Sequence, residues 1–306
     1  MSQAFIAFAQ AHGVEITRLD DSGKIRRCGT ATHPTTKNGA YSWDGRSGWV
    51  WAWDGEGRAI GFNDPDARPM SEAEKRVHEA KRQVYRDEQA HQQREASRWA
   101  AKLLSIAKLG EHGYLQLKGL KSTQGLVLPD GELFIPMRDI ATNELLGAQI
   151  VQWLPEERRW EKKYLYGMRS KGAMLRLGPR QAPETIICEG YATGLSIEAA
   201  VRQMRLSAAV LVTFSDHNLR YAAQRTTGRR YVIADHDPVQ TDPVKFKQNP
   251  GEQGQRAAAA TGLGWAMAET VGFDANDEHA KNGLMAVCAL VMRARVAEPS
   301  EAAAVP

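Results

Sequence analysis

Cysteine is scarce. Cys28, Cys188 and Cys288 are the only three in 306 residues, too few and too scattered for a disulfide framework or a zinc ribbon. A reduced, cytoplasmic setting is expected, with the thiols buried and structural. Long apolar runs are also missing. None approaches the roughly 18 residues that a membrane span needs, so no membrane partner is expected. The first ten residues have no basic stretch and little apolar length, unlike a secretory signal. Neither sign of charge dominates: 40 Lys and Arg against 36 Asp and Glu leave a formal +4, which barely favours a nucleic-acid partner. Internal repeats are absent. Gly119-Leu120-Lys121-Ser122-Thr123 lacks the spacing of a P-loop, so no fused helicase ATPase is expected. What remains is a globular balance, 42% hydrophobic and 25% charged, on a length suited to two or three domains.

The texture of the chain predicts an α/β protein in five parts: a small β-rich module (1–68), a helical connector (69–108), a β-rich subdomain (109–182), a domain of alternating strands and helices (183–296) and a frayed tail (297–306). The first part opens with a short helix over 5–12. Aromatic runs follow, among them Ala40-Tyr41-Ser42-Trp43 and Trp49-Val50-Trp51-Ala52-Trp53, with the hairpin turn signals Asp44-Gly45 and Asp54-Gly55. Alternation puts Trp49, Trp51 and Trp53 on one face. That face suits base stacking on single-stranded DNA or the core of a small sheet. In the connector, Ser71 and Glu74 form a capping-box pattern, and no Gly or Pro follows until after residue 108. Apolar residues are sparse until Trp99, Leu103, Leu104 and Ile106, as in a solvated helix whose last turns dock on a core.

In the third part, strands over 133–137 and 146–153 flank an Asn143-Glu144 turn. Between Glu156 and Arg180, eight Lys or Arg oppose three Glu, a local 8 − 3 = +5. Such a stretch fits phosphate binding or a solvated surface. In the fourth part, strands over 185–189, 208–214 and 230–235 alternate with helices over 192–204, 219–225, 252–269 and 284–295, the pattern of a parallel sheet.

Acids gather at the predicted strand ends. Glu189 ends the first strand, Asp235 and Asp237 end the third, and Asp274 and Asp277 fall in a loop before the last helix. Active sites of open α/β sheets lie at the carboxyl ends of their strands. Clustered carboxylates repel unless cations neutralise them, and hard oxygen donors suit magnesium or manganese. By alternation, His236 points away from the two aspartates beside it.

The segments Ile187-Cys188-Glu189-Gly190-Tyr191-Ala192-Thr193-Gly194, Ile233-Ala234-Asp235-His236-Asp237 and Asp274-Ala275-Asn276-Asp277 resemble the Toprim domain of primases, topoisomerases and some nucleases. The resemblance is nearest to Toprim primases of phages and plasmids, including the TraC-like conjugative ones. It extends to Phe214-Ser215-Asp216-His217-Asn218-Leu219 and Asn249-Pro250-Gly251, and upstream to 113–120, 134–139 and 162–165. The resemblance implies a Rossmann-like parallel Toprim sheet, preceded by a primase-type catalytic-core subdomain. It implies Glu189, Asp235 and Asp237 as catalytic, the same three with Asp274 and Asp277 as ligands of magnesium or manganese, and no zinc. It gives Lys163, with Lys118, Arg138, Lys162, Arg169, Lys171 and Asn218, to nucleotide or DNA. The implied activity is synthesis of short RNA primers on a single-stranded DNA template from NTPs, with a separate replicative helicase as partner.

This chain departs from the pattern in two places. Thr193 stands where bacterial replicative primases have an acid, and Cys28 and His33 alone cannot make the zinc site of many relatives. A Toprim nuclease and a non-catalytic DNA-binding adaptor are the alternatives. A topoisomerase lacks room for its tyrosine-bearing cleavage domain.

Overall fold

Short strands rich in aromatic and β-branched residues and separated by Gly, Asn and Asp build sheet wherever the chain is not a continuous helix former. The structure, a computed structural model, describes residues 2–52, 59–65, 70–241 and 251–299. Trp53, the Asp54-Gly55 turn, Asn249-Pro250 and the tail from residue 300 lie outside the described residues. The chain divides into two compact units, Met1–Gln89 with Val239–Gly251, and Ala90–Pro238 with Glu252–Pro306.

The first unit carries α1 (Ser2–Ala11) and strands β1 (Val14–Glu15), β2 (Arg26–Thr30), β3 (Gly39–Trp43), β4 (Ser47–Ala52) and β5 (Ile60–Asn63), paired antiparallel in sequence order. One sheet face presents Tyr41, Trp43, Val50 and Ala52 to Phe5 and Ala9 of α1. Trp43 is buried and stacks on Phe5 at 4.5 Å. Gly48 lies opposite Trp43, where a Cβ would meet the Ser42 carbonyl, Trp43 and Phe5. Trp49 and Trp51 alternate with Val50 and so take the other face, where the Arg27 guanidinium lies 5.8 Å from the Trp51 ring. The tryptophan cluster is therefore divided: Trp43 makes core and Trp49 and Trp51 do not.

Helix α2 (Glu72–Ile106) begins with the expected capping box, Glu74 accepting from the Ser71 N–H at 2.9 Å. Its last turns place Ala100, Leu103 and Leu104 against Phe134 and Ala148 in the second unit.

The second unit is organised by one ten-stranded sheet. Its first strands are β6 (Lys108–Gly110), β7 (Gly125–Val127), β8 (Leu133–Asp139), β9 (Leu145–Leu154) and β10 (Arg159–Tyr164), with α3 (Gly113–Leu117) after β6. These strands pair antiparallel. Strand β11 (Ala173–Leu177) then joins β8 on one side to the strand Ala208–Val212 on the other, antiparallel to both. Pro136, which has no N–H to give, sits in the gap where the partner of β8 changes from β7 to β11.

Beyond this seam come β12 (Glu184–Cys188), α4 (Tyr191–Gln203), β13 (Ala208–Val212), α5 (Asp216–Arg225), β14 (Arg229–Ala234), α6 (Gln253–Ala259), β15 (Gly264–Met267), α7 (Ala275–Asn282) and α8 (Leu284–Val296). Strands β13-β12-β14-β15 run parallel in that order. Both faces of β12 are buried. Ile186 and Cys188 pack with Ile197 and Val291 of α4 and α8, and Ile187 packs with Leu219 and Ala222 of α5. The first of these cores also contains Leu133, Ile135, Met137 and Val151, so it runs on beneath the antiparallel strands.

Two expectations fail here. The helix expected over 252–269 stops at Ala259, and Gly264–Met267 forms a fourth parallel strand. Gly262 at φ 71° breaks the helix, and Trp265-Ala266-Met267 then pairs with Val232-Ile233-Ala234. The expected loop at Asp274 to Asp277 is the start of α7.

Candidate active site

The acids converge because of the strand order. From β12 the chain passes through α4 to β13 on one side, and from β14 it passes to β15 on the other. A crevice opens outside the strand ends at such a switch point. Glu189 directly follows β12, and Asp235 directly follows β14.

Burial pushes the Glu189 carboxyl up to about 7; Asp216 and Asp237 push the same way, and Lys162 opposes them. Asp235 is raised to about 7 too, first by burial and then by Asp274, Glu189, Asp237 and Asp277. Its Oδ1 is buried without a hydrogen-bond partner. A buried, unsatisfied carboxylate oxygen facing four other acids is the environment a divalent cation relieves. Among the described residues, no group of three or more His, Cys, Asp or Glu already stands in a metal-holding arrangement. Magnesium needs only one or two carboxylates, since waters and substrate phosphates complete its shell. The donor set therefore fits magnesium or manganese, with Asp235 and Glu189 the residues that would hold it.

The other acids are already engaged. Asp274 caps α7: its Oδ1 accepts from Asn276 N at 2.6 Å and Asp277 N at 2.9 Å, and Asp277 Oδ2 accepts from Asp274 N at 3.1 Å. Thr193 Oγ1 donates to Asp274 Oδ2 at 3.1 Å, and Lys118 Nζ lies 3.8 Å from Asp277 Oδ1. The hydroxyl of Thr193 thus steadies Asp274 from the first turn of α4. Asp237 Oδ2 accepts the Gly254 N–H at 2.8 Å, and Gln255 brackets the Asp237 backbone. His236 turns away, its Nδ1 2.8 Å from the Ala268 carbonyl, and its own N–H reaches Phe273 O at 3.0 Å. That pair of contacts clips the loop of Asp235 and Asp237 to the segment that leads into Asp274.

Gly254 is a residue the motifs did not single out. A Cβ there would stand 2.6 Å from Asp235 O and 3.2 Å from Asp237 Oδ2. Gly254→Ala is expected to shift that loop. The melting temperature should drop despite a gain of about 1 kcal/mol in helix propensity. Thermal melting of the two proteins side by side checks this.

The basic residues divide by strand alternation. On β10, Trp160, Lys162 and Tyr164 share one face and Glu161 and Lys163 the other. Lys162 Nζ lies 5.2 Å over the Tyr114 ring and acts electrostatically on Glu189. Tyr164 donates its hydroxyl to Phe214 O at 2.8 Å; burial and the Glu189 charge push that phenol up to about 12. Phe214, at φ 61°, is left-handed, and its N–H donates to Glu189 O at 2.9 Å. Lys163 instead pairs with Glu161 at 2.6 Å and is not brought to the acids.

Arg138 bonds the Asn143 carbonyl and Arg169 pairs with Asp139, both at the β8–β9 turn, and Lys171 lies over Tyr221. Asn218 is buried and committed. Its Oδ1 accepts from Gly172 N, and its Nδ2 donates to Ser170 O and Thr213 O, so it staples the β13–α5 turn and has no donor left for a nucleotide. Of the seven residues expected at phosphates, Lys162 and Lys118 reach the acidic cluster. Asp216, the first residue of α5, is a further acid acting on Glu189, one that the sequence placed in a resembling segment without a role at the site.

Residues 184–284 match the Toprim domain family, so the chain contains a Toprim domain, preceded by antiparallel strands in a mixed α/β structure. No curated protein matches the chain. Among solved structures, the RNA polymerase domain of Mycobacterium tuberculosis primase DnaG is similar, at 18% identity and a TM-score of 0.33. The alignment covers 60% of this chain and 63% of that one, less than two thirds of the latter. Among the described residues, no helix is long and apolar enough to cross a membrane.

Proposed function

We propose that the chain is a DNA primase of the phage or plasmid type, working in the cytoplasm beside a separate replicative helicase. It would make short RNA primers on single-stranded DNA by magnesium-dependent nucleotidyl transfer. The observation that carries this reading is the joining of two parts in one sheet. The Toprim acids stand at the ends of β12 and β14, and the antiparallel strands carry Lys162, whose charge acts on Glu189. A nuclease needs the acids but not a strand-and-lysine module joined to them in one sheet.

In the reaction, a primer 3′ hydroxyl attacks the α-phosphorus of an NTP. A new phosphodiester bond forms, the α–β phosphoanhydride breaks, and pyrophosphate leaves. Glu189, where Asp235 carries the ion, is the carboxylate suited to take the hydroxyl proton. Lys162 offsets charge on the nucleotide phosphates. Magnesium, when bound, supplies neutralisation of the reacting phosphates. The two nucleotides must be held together at initiation, so positioning carries much of the work.

The test is incorporation of labelled NTPs on a panel of single-stranded DNA templates with magnesium. Short RNA products are expected. No oligonucleotide on any template, or DNA degradation that needs no NTP, overturns the reading.

A further inference from the structure

The catalytic face of the antiparallel strands carries an aromatic step that the chemistry above does not use. Trp153 on β9 and Trp160 on β10 are directly opposite each other. Their rings lie 5.2 Å apart, and Trp160 lies 4.8 Å from His112 and 6.2 Å from Tyr114. Gly113 lets this happen, since a Cβ there would stand 2.9 Å from the Trp160 ring. The inner members of the step are buried or half-buried, whereas Trp153 is 45% exposed. Trp160, tilted 59° to Trp153, thus supports it from the buried side, and Trp153 is the exposed member.

Charge on the two faces of β10 differs in a way that selects the occupant. On the far face, Arg159 and Lys163 are both paired with Glu161. On the face of Trp160, Lys162 is in no ion pair within 4 Å among the described residues. It follows Trp160 by two positions, roughly 7 Å further along the strand. An exposed indole with a cation one step along the same face complements a base and its phosphate. A neutral protein helix would leave Lys162 without a partner.

We propose that Trp153, backed by Trp160, seats a base of single-stranded nucleic acid that runs past Lys162 toward Glu189. The orientation toward Glu189 rests on the primase reading; the binding itself does not. Stacking of this kind tolerates any base and loses its advantage on a duplex, where the base faces are covered.

The experiment is binding of a fluorescent single-stranded oligonucleotide to the full chain, without NTP or metal. Trp153→Ala and Trp153→Phe are compared with wild type, and a duplex of the same length serves as control. Trp153→Ala is expected to weaken single-strand affinity about tenfold, Trp153→Phe to restore most of it, and duplex affinity to stay unchanged. Unaltered single-strand affinity in Trp153→Ala, or an equal loss on duplex, overturns the proposal. Loss in Trp153→Phe as large as in Trp153→Ala also overturns it, because an aromatic ring would then not be what binds. A wild-type chain that makes no primer yet shows Trp153-dependent binding would sink the primase reading and leave the base seat standing.

Discussion

Asp235→Asn is expected to cut primer synthesis about a thousandfold and, in the same molecule, to raise the melting temperature of the metal-free protein at pH 8. The first effect follows from the loss of the charge that would hold a divalent ion at the end of β14, worth several kcal/mol of transition-state stabilisation. The second follows from repulsion. The Asp235 carboxyl is lifted from 3.8 to about 7 by burial and by four neighbouring acids. A carboxyl raised in the folded state contributes stability that is fully present below its unfolded value and lost as pH climbs through the folded one. Between about pH 4 and 7 the unfolded chain ionises while the folded chain keeps its proton, so the metal-free protein grows less stable across that window and levels off above it. Asparagine removes the Asp235 share of this dependence and leaves that of Glu189. The gain at pH 8 is on the order of a few kcal/mol, or roughly 5 °C for a chain of this size. Magnesium should raise the wild-type melting temperature at pH 8 and leave that of Asp235→Asn nearly unmoved. A variant that melts below wild type at pH 8 without metal would remove the electrostatic account of the site, whatever its activity.

Such a cluster is legible in the sequence because the segments that form it are locally unambiguous. Ile186-Ile187-Cys188, led in by the β-branched Thr185, is an apolar run, as a strand buried on both faces requires, and Glu189 interrupts it at the sheet edge. The same holds for Val232-Ile233-Ala234 ahead of Asp235. Where the expectation failed, a local signal pointed to more than one structure. The alanines of 257–260 read as a helix running on through Trp265, yet two glycines and the open edge of β14 turned that segment into β15. Asp274-Ala275-Asn276-Asp277 read as a loop, but an acid followed three residues later by another acid is also a capping box, and the helix begins there. Asp216 and Gly254 act through neighbours far away in sequence, Glu189 and Asp235, and no window of residues shows that. The aromatic residues divided in an equally hidden way. Trp43 went to the core because α1 offered Phe5, a pairing across 38 positions, whereas the exposed indole on β9 was Trp153, the last residue of a stretch read only as a strand.

The two adjacent lysines of β10 are the sharpest case, because sequence treats them alike and a pleated strand cannot. Lys162→Ala is expected to slow primer synthesis about a hundredfold, the loss typical of one well-placed charged partner at a reacting centre. Lys163→Ala should stay within about twofold, since its ion pair with Glu161 is exposed and worth little. The pH profile gives a second readout. Lys162 is the one charge found to oppose the upward shift of the Glu189 carboxyl, so its removal should lift that carboxyl above about 7 and move the rising limb of the rate profile to higher pH. Lys162→Arg should recover part of the rate and return the profile toward wild type, because it restores charge but not the compact ammonium over the Tyr114 ring. The register of β10 against β9, Lys162 opposite Val151 and Lys163 opposite Ile150, fixes which side chain faces the acids. A one-residue slip would exchange them. If Lys163→Ala is the damaging substitution and Lys162→Ala is silent, the strand lies in the other register, and the aromatic step of Trp153 and Trp160 falls with it.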